Sequence, residues 1–305
     1  MITAGVDLRL LHHGGVPVGV IDVGSNTVRL HVSRGGRELH REKAMLRLGA
    51  GIETTGGIPP AKLAETVALV ERLAADARRC GVDQLEVLVT SPGRQAANGP
   101  ELIARLATAA GAPVRLLSAE EEGRLAFLGA LSATRTGSRR LIAVCDVGGG
   151  SAQVAVGTRR DGVAWVRSLD IGSMRLTSRL LDDDPPGDAA VGRARIEVER
   201  MLDGFVPPLP QTALAVGGSA RALKSIVGSE LGADELDEVA GILARTPGRD
   251  IVELYGIEPD RVRTLAAGAV ILGAIQQRLM VPLRVVRGGV REGAALELAD
   301  RRAAA

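Results

Sequence analysis

Aromatic residues are nearly absent: one Trp, one Tyr and two Phe in 305 residues. A platform that stacks successive bases of single-stranded nucleic acid is thereby disfavoured, and the core has to be aliphatic. Cysteine is as scarce. Cys80 and Cys145 have no spacing, with each other or with His, that resembles a metal site or a disulfide framework, and this suits a reducing cytoplasm. Lysine occurs only at Lys43, Lys62 and Lys224, so nearly all basic residues are arginine. The rigid arginine fork suits phosphate, and genomic base composition explains the same bias at least as well. Neither sign of charge dominates: 38 basic and 36 acidic residues leave +2. No whole-molecule field recruits nucleic acid or an anionic membrane, so any anion must be held locally. Long hydrophobic runs are also missing. The stretch 265–275 is too short to span a bilayer, and residues 1–16, with Asp7, Arg9 and two histidines, lack the apolar core of a signal peptide. The expectation is a soluble cytoplasmic protein whose first sixteen residues are a flexible extension.

What is present is a chain 46% hydrophobic, long enough for two medium domains. Residues 18–22 form a short apolar run ending in Asp and a Gly turn, and 28–33 alternate apolar and polar, which predicts a β-hairpin. A third strand is predicted at 38–48, a helix at 60–80 and a buried strand at 85–89. A helix at 100–110, a strand at 114–117 and an acid-led helix at 119–131 follow. At Leu141 the pattern restarts: LIAVCDVGGGSAQVAVG repeats the run, the Asp, the Gly turn and the second strand of VGVIDVGSNTVRLHVS. This internal duplication places the boundary within 130–140, giving domains 1–130 and 131–305. Later strands are predicted at 163–170 and 213–216, and helices at 190–202, 221–227, 234–244 and 262–279. The apolar helix within 262–279 fits a core or an interface, and the oligomeric state stays open, a homodimer included.

The two turns after Asp22 and Asp146 are the first candidates for chemistry. Glycine allows successive N–H groups to face an anion, and Ser or Asn adds donors. One such turn is most simply a tight hairpin; two duplicated turns point to a pair of phosphate grips, each with a carboxylate to hold a divalent cation. The segment 215–223 runs from a strand through Gly217, Gly218 and Ser219 into a helix, reading equally as an anion site or an ordinary N-cap. Arg287 and Arg291 in the segment 286–293 serve phosphate or solvent alike. Of Glu120, Glu121 and Glu122, two suit a solvated first turn, and Glu122 is the candidate to orient or deprotonate a water. Arg94 either projects from a strand end, where ligands bind in open sheets, or lies on a surface loop.

Nine segments in order resemble the exopolyphosphatase/guanosine pentaphosphate phosphatase family of the sugar kinase, Hsp70 and actin superfamily, over nearly the whole chain. They are DVGSNTVRL (22–30), LRLGAGI (46–52), TSPGRQAAN (90–98), SAEEEGRLAFLGA (118–130), DVGGGS (146–151), IGSMRLT (171–177), AVGGSARAL (215–223), RVRTLAAGAVIL (261–272) and GVREG (289–293). The resemblance implies an α/β fold of two ribonuclease H-like, actin-like domains with mixed sheets flanked by helices and a cleft between them, in the short two-domain form. It implies Glu122 as the catalytic glutamate and Asp146 as the metal-associated aspartate for Mg2+ or Mn2+, to which the duplicated turn adds Asp22. Gly24, Ser25, Asn26, Gly148, Gly149, Gly150 and Ser151 match the phosphate turns and Arg94 an arginine of the substrate cleft, with Arg29 as its helper, while Gly217, Gly218 and Ser219 are further candidate phosphate contacts from the strand-to-helix reading. The implied activity is removal of terminal phosphate from inorganic polyphosphate by metal-assisted attack of water. Guanosine pentaphosphate, with its tetraphosphate product, is the alternative ligand. Where the family has Ser-Thr-Glu, this chain has Ser151-Ala152-Gln153. A neutral amide there cannot usefully take a proton, so a polyphosphate- or alarmone-binding sensor is a second reading. An ATP-dependent kinase is disfavoured by the EEEGRLAF segment.

Overall fold

The computed structural model describes residues 15–303; the expected N-terminal extension lies, but for its last two residues, outside the described residues. The chain divides into two compact units, Met1–Ser132 with Gly288–Ala305, and Ala133–Arg287. The break after Ser132 falls two residues from the expected boundary. The second unit, however, ends at Arg287 and not at 305, because the last helix buries Ala294, Ala295 and Leu298 against Val18, Val20, Leu88 and Leu125 of the first unit.

The first unit begins with β1 (Val18–Val23), β2 (Thr27–Arg34) and β3 (Arg37–Met45), then α1 (Leu48–Thr55) and α2 (Pro60–Arg79). β4 (Gln84–Val89), α3 (Ser91–Gln95), α4 (Gly99–Ala110), β5 (Val114–Leu116) and α5 (Ala119–Ser132) follow. The strands form one sheet in the order β3-β2-β1-β4-β5, antiparallel through the first three and parallel from β1 to β4 to β5. Alternation along a strand sends successive side chains to opposite faces. Ile21 and Val23 of β1 therefore join Val70, Leu73, Leu102 and Leu106 in one core, while Val18 and Val20 face the opposite core, which the last helix covers together with Leu125 of α5. Asp22 continues that second row.

The second unit repeats this plan with β6 (Ile142–Val147), β7 (Ala152–Thr158) and β8 (Gly162–Leu169), then α6 (Ser173–Leu180), α7 (Asp188–Met201), β9 (Thr212–Val216) and α8 (Gly217–Val227). It continues through β10 (Glu230–Leu231), α9 (Ala233–Arg245), α10 (Gly248–Tyr255), α11 (Pro259–Val262), α12 (Leu265–Leu279) and β11 (Leu283–Val285). Its sheet runs β10-β11-β9-β6-β7-β8. Read from β8, the first five strands have the same order and senses as the first sheet, with β10 added antiparallel at the far edge. The apolar helix α12 is buried along almost its whole length within this unit's core, so it is a core helix and not an exposed interface.

The final helix, α13 (Val290–Ala303), closes the first unit. It approaches α5 closely enough that a Cβ on Gly293 would stand 2.0 Å from the Leu125 carbonyl oxygen, and one on Gly129 2.0 Å from that of Gly289. Charges flank this contact. Glu297 accepts from Arg115 and from Arg124, the latter at 2.7 Å, and buried Glu86 accepts from Arg301 at 3.2 Å. No helix among the described residues is long and apolar enough to cross a membrane.

Candidate active site

In both units the glycine turn closes in the same way. Gly24 N–H donates to the Thr27 carbonyl at 3.0 Å, and Gly148 N–H to that of Ser151 at 2.9 Å. The start of the helix after the third strand then holds the turn from behind. Gly49 N–H donates to Ser25 and the N–H groups of Leu46 and Arg47 donate to Asn26; in the second unit Ser173 donates to Gly148, and Met174 and Arg175 to Gly149. With their carbonyls occupied, the turns leave the N–H groups of Ser25, Asn26, Gly149 and Gly150 without an acceptor among the described residues. Such N–H concavities favour anions. The Asn26 side-chain amide, 7% exposed, likewise has no partner for its Nδ2. Two backbone features support the bracing. Arg47, at the head of α1, adopts the left-handed conformation at φ 54°, unusual for a residue with a side chain. Gly172 lies so close to the second turn that a Cβ there would stand 2.3 Å from the Gly149 carbonyl oxygen.

Within the first unit, the turn connects to the expected catalytic glutamate through α3. Ser25 and Ser91 share a hydrogen bond between hydroxyls at 2.5 Å, and Thr90 N–H donates to Val23. From the same short helix Arg94 reaches the Leu117 carbonyl at 2.6 Å and Glu122 at 2.5 Å. The structure therefore joins Arg94 and Glu122 into a pair beside the turn and places Arg94 on a helix, where the sequence left a loop open. The three glutamates separate by role. Glu120 is exposed. Glu121 and Ser118 form a capping box, each side chain accepting from the other's backbone N–H, at 2.8 and 3.1 Å. Glu122 is 6% exposed and turned to Arg94.

Asp22 stands opposite Arg29 in the β1–β2 register, and Arg29 opposite Lys43. Burial pushes the Asp22 carboxyl up; the nearby charges of Arg291 and Arg29 act against that rise, and Glu292 adds to it. Arg291 thus belongs to this charged row, a place that its sequence context left undecided. In the second unit the corresponding row is Asp146, Gln153 and Ser168. The Asp146 carboxylate lies against Gly217, one oxygen standing 2.5 Å from where a Cβ would be, at a glycine with φ 91° that opens α8. A helix start favours negative charge. Gly218 is packed equally tightly against the guanidinium of Arg261, a residue that the sequence reading did not single out, and Ser219 is buried against Gly268. Thr27 was also missed; the duplication sets it in the place of Ser151.

A resident cation finds few ligands within either unit. Among the described residues no group of three His, Cys, Asp or Glu side chains could hold a metal ion, and each turn offers one carboxylate. That donor set fits Mg2+ or Mn2+ only when phosphate oxygens and water complete the shell, the usual mode for Mg2+.

The sequence and the fold both have relatives. The model of the Ppx/GppA phosphatase family matches residues 28–302. Exopolyphosphatase 1 of Mycobacterium tuberculosis is 30% identical, covering 94% of this chain and 89% of that protein. A solved exopolyphosphatase-like protein superposes with a TM-score of 0.86 at 24% identity, over 94% of this chain and all of that one. The Aquifex aeolicus member of the Ppx/GppA family gives 0.79 at 23%, over 94% and 98%. The actin-like α/β fold expected from the sequence is therefore the fold observed, and the chain belongs to the Ppx/GppA phosphatase family, a family of hydrolases.

Proposed function

We propose that the protein removes the terminal phosphate of inorganic polyphosphate by attack of water, with Glu122 as the base. The observation that carries this reading is the buried Glu122 carboxylate, held by Arg94 in the same unit as a glycine turn whose N–H groups lack acceptors. Fixing the carboxylate by a two-point arginine anchor orients it for a proton held by a water, and the turn's donors would meet charge on the phosphoryl oxygens. In the step, the water oxygen bonds to the terminal phosphorus as the bridging P–O bond breaks. The water's proton passes to Glu122, and the shortened chain leaves on the bridging oxygen. Similarity to the mycobacterial exopolyphosphatase supports the substrate. Mg2+ or Mn2+ is read as a companion of the phosphate chain that neutralises its oxygens, and Asp22 in the first unit and Asp146 in the second each offer it a carboxylate within their own unit.

Polyphosphate is preferred to guanosine pentaphosphate because the aromatic side chains are committed elsewhere. Trp165 and Phe205 pack edge to face with ring centres 5.7 Å apart, Phe127 is buried, and Tyr255 packs against the second unit's core. The test is phosphate release from long-chain polyphosphate with Mg2+ or Mn2+, for the native protein and Glu122→Gln. A fall of about 10²-fold or more on substitution is expected of a general base. Release unchanged by the substitution would remove Glu122 from the mechanism; binding without release in the native protein would establish the sensor.

A further inference from the structure

The two charged rows differ in one respect that the duplication makes visible. Asp22 faces Arg29, whereas Asp146 faces Gln153, in equivalent positions of the two sheets. Gln153 is 4% exposed and its Nε2 donates to the Ser151 hydroxyl oxygen at 2.9 Å and to that of Ser168 at 3.3 Å. A hydroxyl that accepts from an amide keeps its own proton for another acceptor. Neither hydroxyl proton has one among the described residues, and both belong to the same neighbourhood as the free N–H groups of Gly149 and Gly150. Asp146, meanwhile, rests against the start of α8.

We propose that Gln153 is a positioning residue that turns the hydroxyl protons of Ser151 and Ser168 toward a bound phosphate group, so that the second glycine turn holds phosphate without needing a divalent cation. This rests on the phosphate-binding reading of that turn. A glutamate of the same shape would reverse the polarity: it accepts and cannot donate, so it would draw the serine protons onto itself and repel the anion unless a cation stood between them.

The experiment is titration calorimetry of the full chain with imidodiphosphate, whose P–N–P bridge resists hydrolysis, in EDTA and again with Mn2+. The native protein is expected to bind in EDTA. Gln153→Glu is expected to bind about tenfold more weakly in EDTA, the cost of a lost hydrogen bond to a charged group, and to recover most of that on adding Mn2+. A purely structural defect would not depend on the cation. Ser168→Ala, a small change at a half-buried position, carries the test if Gln153→Glu folds poorly; it is expected to weaken binding about threefold with and without Mn2+ while melting at the native temperature, which separates a lost phosphate donor from a structural defect. Native binding that requires Mn2+, or Gln153→Glu or Ser168→Ala binding in EDTA as the native protein does, overturns the proposal. Binding in EDTA with no phosphate release from polyphosphate would sink the hydrolase reading and leave this one standing. No binding in either condition would sink the phosphate-binding reading of the turn, and this with it.

Discussion

Adding one methyl group to Gly293 tests how α13 is held. Helix propensity alone favours Ala over Gly by up to about 1 kcal/mol, so on local grounds Gly293→Ala stabilises. The packing says otherwise. The new Cβ would stand 2.0 Å from the Leu125 carbonyl oxygen, 2.8 Å from its carbon and 3.1 Å from its Cα. These are backbone atoms that no rotamer change can move. Carbon atoms rest at about 3.5 Å or more, so α13 has to retreat from α5 by roughly 1 Å, loosening Ala294, Ala295 and Leu298 and stretching the Glu297 bonds to Arg115 and Arg124. Overpacking of this kind costs about 3 kcal/mol at its upper end, leaving a net loss of about 2 kcal/mol. For a unit of this size that lowers the melting temperature by about 4–8 °C. Gly192, in α7, is the control: a Cβ there meets nothing within 4 Å, so Gly192→Ala should raise stability by up to about 1 kcal/mol. Calorimetric melting of both variants decides. If Gly293→Ala melts at or above the native temperature, the close approach of α5 and α13 is wrong.

Three further outcomes are expected. Gly172→Ala should push the second glycine turn out of shape, because its Cβ would stand 2.3 Å from the Gly149 carbonyl oxygen; KM for polyphosphate should rise severalfold, with a loss of stability of the kind expected for Gly293→Ala, and an unchanged KM would detach that turn from substrate binding. Arg94→Lys keeps a charge beside Glu122 but loses the fork that also holds the Leu117 carbonyl, so kcat should fall about tenfold; full activity would show that the anchor is dispensable. Burial raises the Glu297 carboxyl, but the hydrogen bond from Arg124 and the charges of Arg124 and Arg115 outweigh it and leave the group below its usual range. Its contribution to stability is therefore present above the unfolded value, near 4.5, and lost as pH falls through the lower folded value. Glu297→Gln should cost about 1 kcal/mol in urea unfolding at pH 7 and progressively less below pH 4; an equal cost at both would refute the charge pairing.

The duplicated hairpin was legible because its signal is local: an apolar run, an Asp, a Gly turn and period-two alternation, twice. Glu122 was separable from its neighbours in principle, since Ser118 and Glu121 have capping-box spacing, which leaves Glu120 and Glu122 to be told apart by burial. The partners of Asp22 and Asp146 were harder. Lys43 and Ser168 join their rows only through pairing with the third strand, and register irregularities at Val32/Ser33 and Val156/Gly157 shift that pairing in a way no spacing rule reveals. The short helices α1, α3 and α6 are set by the turns they brace more than by their own periodicity. α13 was missed because its apolar residues find their partners at Val18, Val20 and Leu88, more than 200 positions earlier in the chain.

That long return has a consequence for biosynthesis. Residues 133–287 are contiguous, so the second unit is complete as soon as it has left the ribosome. The first unit is not: the face of β1 and β4 bearing Val18, Val20 and Leu88 stays open until the last helix is made. At about 5–20 residues per second, the interval between Ser132 and α13 is roughly 10–30 s, long on the scale of hydrophobic collapse. The nascent chain therefore exposes an apolar sheet face with its covering helix still unmade, and shortening the protein by a few C-terminal turns would make that transient state permanent.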